Sequence, residues 1–311
     1  MDDFTLVAPS PVVDPFLKWA GGKRQLRSSL RQHYPPVFTG YVEPFLGGGT
    51  VFFDLETQGR LEDRPTTLSD VNGDLIGCYL MVRDHVEEVI QALTAIAEGH
   101  TADHYYRVRD DFNAHRRRLR TRPGLVSDGY TPDLAARFIY LNRTGFNGLF
   151  RLNTRGGFNV PIGRYTNPTI CDAGGLRRVS ALLGRPSLRI IEADFHRVLD
   201  GVDAGAFVYC DPPYARLDGK ESFTGYTASG FSDADQRRLQ RRVVSLANQG
   251  CSVMVSNSAA PLITRLYADD AQARAAGFRV HAVAAKRSIS ANGAARRPIK
   301  EYIITNLSLL A

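Results

Sequence analysis

The chain has 311 residues, 43% of them hydrophobic and 23% charged, with a formal net charge of +7 at pH 7. That balance excludes a disordered or low-complexity chain, and no run of about 18 apolar residues is present to cross a membrane as a helix. The opening lacks the basic start and apolar core of a secretion signal. The four cysteines (Cys78, Cys171, Cys210, Cys251) are far apart, with no C-x-x-C pair. A cytoplasmic protein with reduced thiols and no metal is expected.

Taken in chain order, "FLKWAGGKRQL" (16–26) is a glycine loop bearing Lys18, Trp19 and Lys23, a setting for a Trp that caps a ligand or simply packs. "GYVEPF" (40–45) reads as a short strand running into Gly47-Gly48-Gly49 and then a helical pattern. Such a strand–glycine–helix junction lets backbone approach a nucleotide-like ligand closely. It is neither G-x-G-x-x-G nor a P-loop, so no pyrophosphate is expected there. "PTTLSD" (65–70) is a second strand. Its terminal Asp70 stands where an acid accepts hydrogen bonds from ribose hydroxyls. A ligand with a ribose but no phosphates fits both observations, and S-adenosylmethionine is the common one.

The middle of the chain differs. Helical patterns at 101–119 and 133–143 carry Arg clusters, and "NGLFRLNTRGGFNVPIGRY" reads as turns and a short hairpin. Residues 100–187 hold 15 arginines, no lysine and 6 acids, a local charge of +9, so the rest of the chain carries −2. Such a block suggests a polyanion partner, most simply nucleic acid, the plain alternative being a solvated Arg-rich surface. For Arg116-Arg117-Arg118 the expectation is phosphate contact or solvation.

Beyond it, "LRIIEAD" (188–194), "AFVYCD" (206–211) and "CSVMVSN" (251–257) read as further strands. Residues 233–249 read as a helix with Leu239, Val243, Leu246 and Ala247 on one face and Gly250 as its cap. "FRVHAVA" and "EYIITNL" read as a closing antiparallel pair, and "KRSISANGAARRP" (286–298) as a basic phosphate-binding loop. The whole predicts an α/β domain in two pieces, 16–78 and 188–311. Its sheet has helices on both faces and is interrupted by a mainly helical insertion at 79–187 with a β-hairpin. Residues 1–15 form an N-terminal extension.

"AFVYCDPPYARL" carries the chemistry. Two consecutive prolines remove two backbone donors, so the end of this strand presents acceptors: the Asp211 carboxylate and the Pro212 carbonyl. Acceptors suit a substrate that donates, such as an exocyclic amine on a nucleobase. Gripping its hydrogens favours the pyramidal form, which frees the nitrogen lone pair to attack an electrophilic methyl. Tyr214 offers a π-face for the base, and a base within a duplex must first be flipped out.

With these residues assembled, the sequence resembles the Dam-type DNA adenine-N6 methyltransferases of the D12 class. The matching blocks are "LKWAGGK", "VEPFLGGGTVF", "LSDVNGDL", "LNRTGFNGLFRLNTRGGFNVPIGRY", "VYCDPPY" and "RSISANG", spread from about Phe16 to Asn306. The resemblance implies a Rossmann-like S-adenosylmethionine-dependent methyltransferase fold. It implies cofactor contacts at Trp19, Lys23, Glu43, Pro44, Phe45, Gly47, Gly49, Asp70 and Asp211, and catalysis by Asp211, Pro212, Pro213 and Tyr214. It implies double-stranded DNA as partner and GATC as target, with Lys18 reading the first guanine and Arg151 the guanine of the last base pair. Leu149 and Pro161 match contacts to the thymine methyl, and Phe146 stands where the family inserts a tyrosine beside the vacated base. Asn147, Asn153, Arg155 and Arg164 complete the expected DNA-binding set. "SNS" (256–258) departs from the family's Ser-Asn-His-Asp.

The expected activity is methyl transfer from S-adenosylmethionine to the N6 amine of a flipped-out adenine, by a protein that is a monomer in solution. A cytosine-N4 or RNA adenine methyltransferase and a non-catalytic sequence-specific DNA-binding regulator are the alternatives. The Arg-rich insertion with Asp at position 211 argues against the first, and the intact acceptor tetrapeptide argues against the second.

Overall fold

Each apolar run that ends in turn residues is a strand because its side chains alternate between two buried faces. The computed structural model describes residues 13–19, 21–217, 231–285 and 299–307, so the basic loop at 286–298 lies outside the described residues. Among them seven strands form one sheet: β1 (Tyr41–Glu43), β2 (Thr66–Asp70), β3 (Leu188–Glu192), β4 (Phe207–Cys210), β5 (Ser252–Ser258), β6 (Arg279–Ala285) and β7 (Ile299–Thr305). Their order is β3-β2-β1-β4-β5-β7-β6. The first five are mutually parallel, whereas β7 runs antiparallel to both β5 and β6. The expected α/β class and closing antiparallel pair are both present.

Alternation divides the core in two. Phe207 and Tyr209 of β4 join one hydrophobic cluster, with Tyr41, Met254 and Ile303. Val208 and Cys210 join the other, with Val42, Val253, Val255 and Ile304. Helix α9 (Asp233–Asn248) covers the second face with Leu239, Val243 and Leu246. It starts at a reciprocal cap, in which the Ser232 hydroxyl accepts from the Asp235 N–H and the Asp235 carboxylate accepts from the Ser232 N–H. Gly250 follows its end at φ +86°.

The other face carries α1 (Arg27–Arg31), α2 (Thr50–Thr57) and everything between β2 and β3: α3 (Gly73–Asp84), α4 (Val86–Glu98), α5 (Ala102–Arg120), α6 (Pro132–Thr144) and α7 (Ala173–Leu183). Helices α5 and α6 fall where the sequence pattern put them. Helices α4 and α7 were not singled out, although Val89, Ile90 and Leu93 and then Leu176, Val179 and Leu183 form their buried stripes. Between α6 and α7 the chain makes a hairpin with bridges Gly145–Ile162 and Leu152–Phe158. Helix α3 runs unbroken across position 79. Phe112, Phe138 and Phe150 of this middle region share one hydrophobic cluster with Leu68, Tyr79 and Phe207.

One expectation for the Arg run is overturned. Arg117 and Arg118 are exposed, but Arg116 is only 5% exposed and paired with Asp74 at 2.7 Å. The reason is helical phase: Tyr105, Val108, Phe112, Arg116 and Leu119 form the buried stripe of α5.

The chain leaves β1 for β2 on one side and later returns to β4 on the other. The strand order therefore reverses between β1 and β4, which opens a crevice outside their carboxyl ends. Short helix α8 (Phe195–Leu199), directly after β3, borders it.

Gly77 marks how tightly the middle region seats on α3. A methyl group there would meet Tyr130 Cβ and Cγ inside van der Waals contact. Helix propensity favours Ala over Gly by ~1 kcal/mol, but overpacking against atoms near a backbone costs ~1–3 kcal/mol. Gly77→Ala is therefore expected to lower the thermal midpoint, and a raised midpoint in a calorimetric scan would show that the seam is loose.

Candidate active site

Two strand ends build the crevice. After β1 the chain turns through Gly47 (φ +48°) and Gly49 (φ +66°), a left-handed conformation that residues with a Cβ rarely adopt. Close approach adds a second constraint, because a Cβ on Gly47 would lie 2.8 Å from Trp19 Cδ1. The loop is latched by Asp70 at the end of β2, whose Oδ2 accepts from the Gly47 N–H at 3.1 Å and whose Oδ1 accepts from the Asn72 N–H at 2.9 Å. Burial pushes the Asp70 carboxyl up to about 6, while these backbone donors oppose the rise.

After β4 the chain passes into Asp211-Pro212-Pro213-Tyr214. Lys23 Nζ lies 2.8 Å from Asp211 Oδ2, donates to the Gly21 carbonyl at 2.7 Å and sits 4.8 Å from the Tyr214 ring centre. Lys23 is 5% exposed, and Asp211, which lines the crevice, is 22% exposed. Asp211 Oδ1 is buried and accepts no hydrogen bond from any described residue. Burial raises the Asp211 carboxyl above its usual range and Lys23 pulls it back down. The Tyr214 hydroxyl donates to Glu301 at 2.7 Å, which fixes its ring.

The turn after the tetrapeptide is held by β5 and α9. Asn257 Oδ1 accepts from the Ala215 N–H at 3.0 Å, Ser258 Oγ donates to the Ala215 carbonyl, and Gln236 Nε2 donates to the Pro213 carbonyl at 2.8 Å. Asn257 and Ser258 thus tie the backbone of that turn, while the Ser256 hydroxyl pairs with the Tyr209 hydroxyl at 3.0 Å.

Trp19, Lys23, Glu43, Pro44, Phe45, Gly47, Gly49, Asp70 and the whole of Asp211–Tyr214 line one cleft of about 450 Å³. Sequence reasoning did not assign Asp194, Phe195, Phe231 or Asp235 to it, and all four line it as well. Phe195 stacks on Phe45, with ring centres 5.4 Å apart and planes at 27°, and Phe231 packs against both. A signal for Asp194 existed: "LRIIEAD" ends on an acid just as the runs ending at Asp70 and Asp211 do. Among the described residues, five carboxyl groups line the cleft, Glu43, Asp70, Asp194, Asp211 and Asp235, against one cation, Lys23. Such walls suit a cation and repel phosphate. Among the described residues, no group of three or more His, Cys, Asp or Glu gathers to hold a metal ion, and no helix is long and apolar enough to cross a membrane.

The residues expected to meet DNA do not line the cleft; they gather on and around the hairpin. Phe146 is 42% exposed, and its N–H donates to the Pro161 carbonyl at 2.9 Å. Asn147, at φ +54°, and Pro161, Arg155 and Arg164 are exposed, and Leu149 is half-buried. Arg151 Nε donates to Asn159 Oδ1 at 2.8 Å, across the hairpin. Asn153 Oδ1 accepts from the Arg155 and Gly157 N–H groups at 3.0 and 2.9 Å, so that oxygen shapes the turn. Lys18 connects the two regions. Its backbone N–H donates to Asn142 at 2.8 Å, and its Nζ lies 4.1 Å over the Tyr165 ring. Its neighbour Trp19 stacks on Phe150 with ring centres 6.0 Å apart.

Comparisons with known proteins identify the family. Residues 19–289 match the family model of the D12 class N6 adenine-specific DNA methyltransferases. The chain is 37% identical over 292 residues to the type II methyltransferase M1.LlaDCHI of Lactococcus lactis subsp. cremoris, covering 94% of this chain and 95% of that protein. It is 39% identical over 308 residues to the type II methyltransferase M.MjaIII of Methanocaldococcus jannaschii, covering 94% and 99%. It is 33% identical over 290 residues to the DNA adenine methylase of Escherichia coli K12, covering 93% of each. A model match over most of the chain and full-length relatives at this identity make the chain a member of the D12 class N6 adenine-specific DNA methyltransferases.

Proposed function

We propose that this enzyme transfers the methyl group of S-adenosylmethionine to the N6 amine of an adenine flipped out of duplex DNA, with GATC as its target. The observation that carries the reading is Asp211 Oδ1, a buried acceptor at the strand end that no described residue satisfies. A buried unpaired carboxylate oxygen costs several kcal/mol unless a donor arrives, and the N–H of a nucleobase amine is such a donor.

The cleft fits the cofactor on three counts. Its acidic walls complement a sulfonium and an ammonium, the Gly47–Gly49 turn admits close backbone approach, and the Phe45–Phe195–Phe231 group offers apolar walls for a purine. Trp19, Lys23, Glu43, Pro44, Phe45, Gly47, Gly49 and Asp70 would hold it. Bound there, S-adenosylmethionine supplies an electrophilic methyl carbon. Lys23 holds Asp211 Oδ2 and favours the ionised carboxylate against its burial, which leaves Oδ1 for one amine hydrogen and the Pro212 carbonyl for the other. With the donor bound, the nitrogen lone pair would form the N–C bond as the sulfonium leaves as a neutral thioether, and the amine proton would pass to solvent. Tyr214, tethered through Glu301, stacks on the base.

Target reading belongs to the middle region, residues 79–187, whose +9 block supplies phosphate contacts. Lys18 and Arg151 are the guanine readers in this proposal. Leu149 and Pro161 meet the thymine methyl, Phe146 fills the space that the flipped base vacates, and Asn147, Asn153, Arg155 and Arg164 complete the interface. Phe146 keeps a stacking ring and drops a hydroxyl relative to the family's tyrosine.

Two outcomes test the chemistry. Removing a positioned electrostatic acceptor of this kind costs ~10²–10³ in rate, so Asp211→Ala should lower turnover on GATC duplexes by that factor while folding and DNA binding persist. A folded variant that keeps more than a tenth of wild-type turnover would exclude the acceptor mechanism.

The second outcome concerns Glu43. Burial lifts its carboxyl to about 8, the Tyr41 hydroxyl at 2.7 Å opposes the rise, and neighbouring Asp211 adds to it. The folded value lies above the unfolded 4.5, so Glu43 contributes stability that is complete below about 4.5 and is lost as pH rises through about 8. A cationic ligand beside it reverses the shift, so cofactor binding near pH 7 should expel a proton. Calorimetric titration in two buffers of different ionisation enthalpy reads that proton, and Glu43→Gln should remove most of it, the remainder coming from Asp70 and Asp211. Identical binding enthalpies for the wild-type protein in both buffers would remove Glu43 from the cofactor's electrostatic surroundings.

A further inference from the structure

The hydrogen bonds by which helix α5 holds the recognition hairpin at Phe158 and Gly156 go to hairpin backbone atoms. Asn113 Nδ2 donates to the Phe158 carbonyl at 3.0 Å, and Asn113 Oδ1 accepts from the Phe158 N–H at 2.7 Å. One turn on, Arg116 Nη1 donates to the Gly156 carbonyl, and its Nε donates to Asp74 Oδ2 at 2.7 Å. Gly156 has φ +75°, a left-handed conformation, and a Cβ there would meet the guanidinium of Arg120. The side chains of Arg151, Asn153 and Arg155 stay exposed.

Arg116 does more than hold the hairpin to its own helix. Asp74 opens α3, and its N–H donates to Asn72 Oδ1 at 3.2 Å. The Asn72 N–H is bound by Asp70, the acid that latches Gly47 of the cofactor loop. The guanidinium also sits 5.8 Å from the Phe150 ring centre, and Phe150 stacks on Trp19, against which Gly47 packs. A polar route and an aromatic route thus leave one buried arginine and meet at the same glycine. The pair is deeply enclosed, with Arg116 6% and Asp74 3% exposed.

We propose that Arg116 is a positioning residue for target reading: it clamps the Gly156 carbonyl to Asp74 and so fixes the recognition hairpin relative to the cleft. The physical case rests on geometry. Base discrimination needs side chains held within ~0.5 Å of their productive pose. A planar fork that engages a carboxylate and a carbonyl at once supplies that rigidity, whereas a single ammonium does not. A merely structural arginine would alter the fraction of folded enzyme and scale all DNA sites equally. A positioning arginine alters their ranking.

The inference rests on the DNA-methylating reading, and the experiment separates the two. Full-length wild type, Arg116→Lys and the pair variant Arg116→Met/Asp74→Asn are incubated with labelled S-adenosylmethionine and unmethylated genomic DNA. Methylated adenines are then mapped, and rates at the preferred site are compared with rates at its single-base neighbours. Removing both partners of a buried pair avoids leaving one charge stranded, so the pair variant is expected to fold; should it not, Arg116→Lys decides alone. The expected result is a fall of roughly tenfold or more in discrimination, with cofactor affinity within about threefold of wild type. Folded variants that rank sites as wild type does would overturn the inference and leave the functional reading intact. A wild-type protein that methylates no adenine would overturn both.

Discussion

Asp211 has one carboxylate oxygen buried at the wall of the cleft and the other 2.8 Å from a cation, Lys23, and the architecture of the cleft depends on that pair. Taking a carboxylate into a protein interior costs several kcal/mol, and one ion pair offsets this only when the remaining lone pairs are also satisfied. Here one oxygen is satisfied and the other is left over. The unsatisfied oxygen is what the proposed function uses to receive a donor, and Lys23 offsets part of the cost of burying the charge. Without Lys23, burial and the nearby Glu301 would both favour the protonated acid.

Keeping that oxygen in place requires a rigid turn, and the rigidity comes from outside the tetrapeptide. The two prolines stiffen the backbone. Asn257, Ser258 and Gln236 tie down the carbonyls and N–H groups around Pro213 and Ala215, and Glu301 holds the Tyr214 hydroxyl. These ties come from α9, β5 and β7, so the antiparallel end of the sheet supports chemistry located at its parallel centre. The Gly47–Gly49 turn has the same kind of support from Asp70 and Trp19. In both loops the exposed edge faces the cleft and the other edge is pinned by side chains from distant elements, which limits the entropy lost when a ligand arrives.

The arginines of the middle region divide by helical phase. Those on the outer face of α5, Arg117, Arg118 and Arg120, are exposed and give a diffuse positive field, which in the proposed function draws DNA without reading it. The one that falls on the inner stripe joins a carboxylate to the hairpin. A single run of three identical residues therefore contains two surface charges and one structural tie, separated by about 100° per residue around the helix.

Much of this was legible in the sequence because the signals are local. Strand ends at Glu43, Asp70 and Asp211, the glycine turn and the Asp-Pro-Pro-Tyr stop are each determined by neighbours along the chain, and all of them fall in one cleft. The α/β order followed from runs of alternating burial, and α5 and α6 from their periodicity. What only the tertiary structure decided involves partners far apart in the chain. Arg116 looks like surface charge until Asp74, 42 positions earlier, is seen beneath it. Asp194 and Phe195 look like an ordinary strand exit until β3 is placed beside β2 and their aromatic neighbours Phe45 and Phe231 arrive. Ser258, where the family has a histidine, looks like a loss until its hydroxyl is found holding the Ala215 carbonyl, 43 residues away. A side chain's local context fixes its backbone, whereas the energy of burying its charge depends on which group the fold brings opposite it.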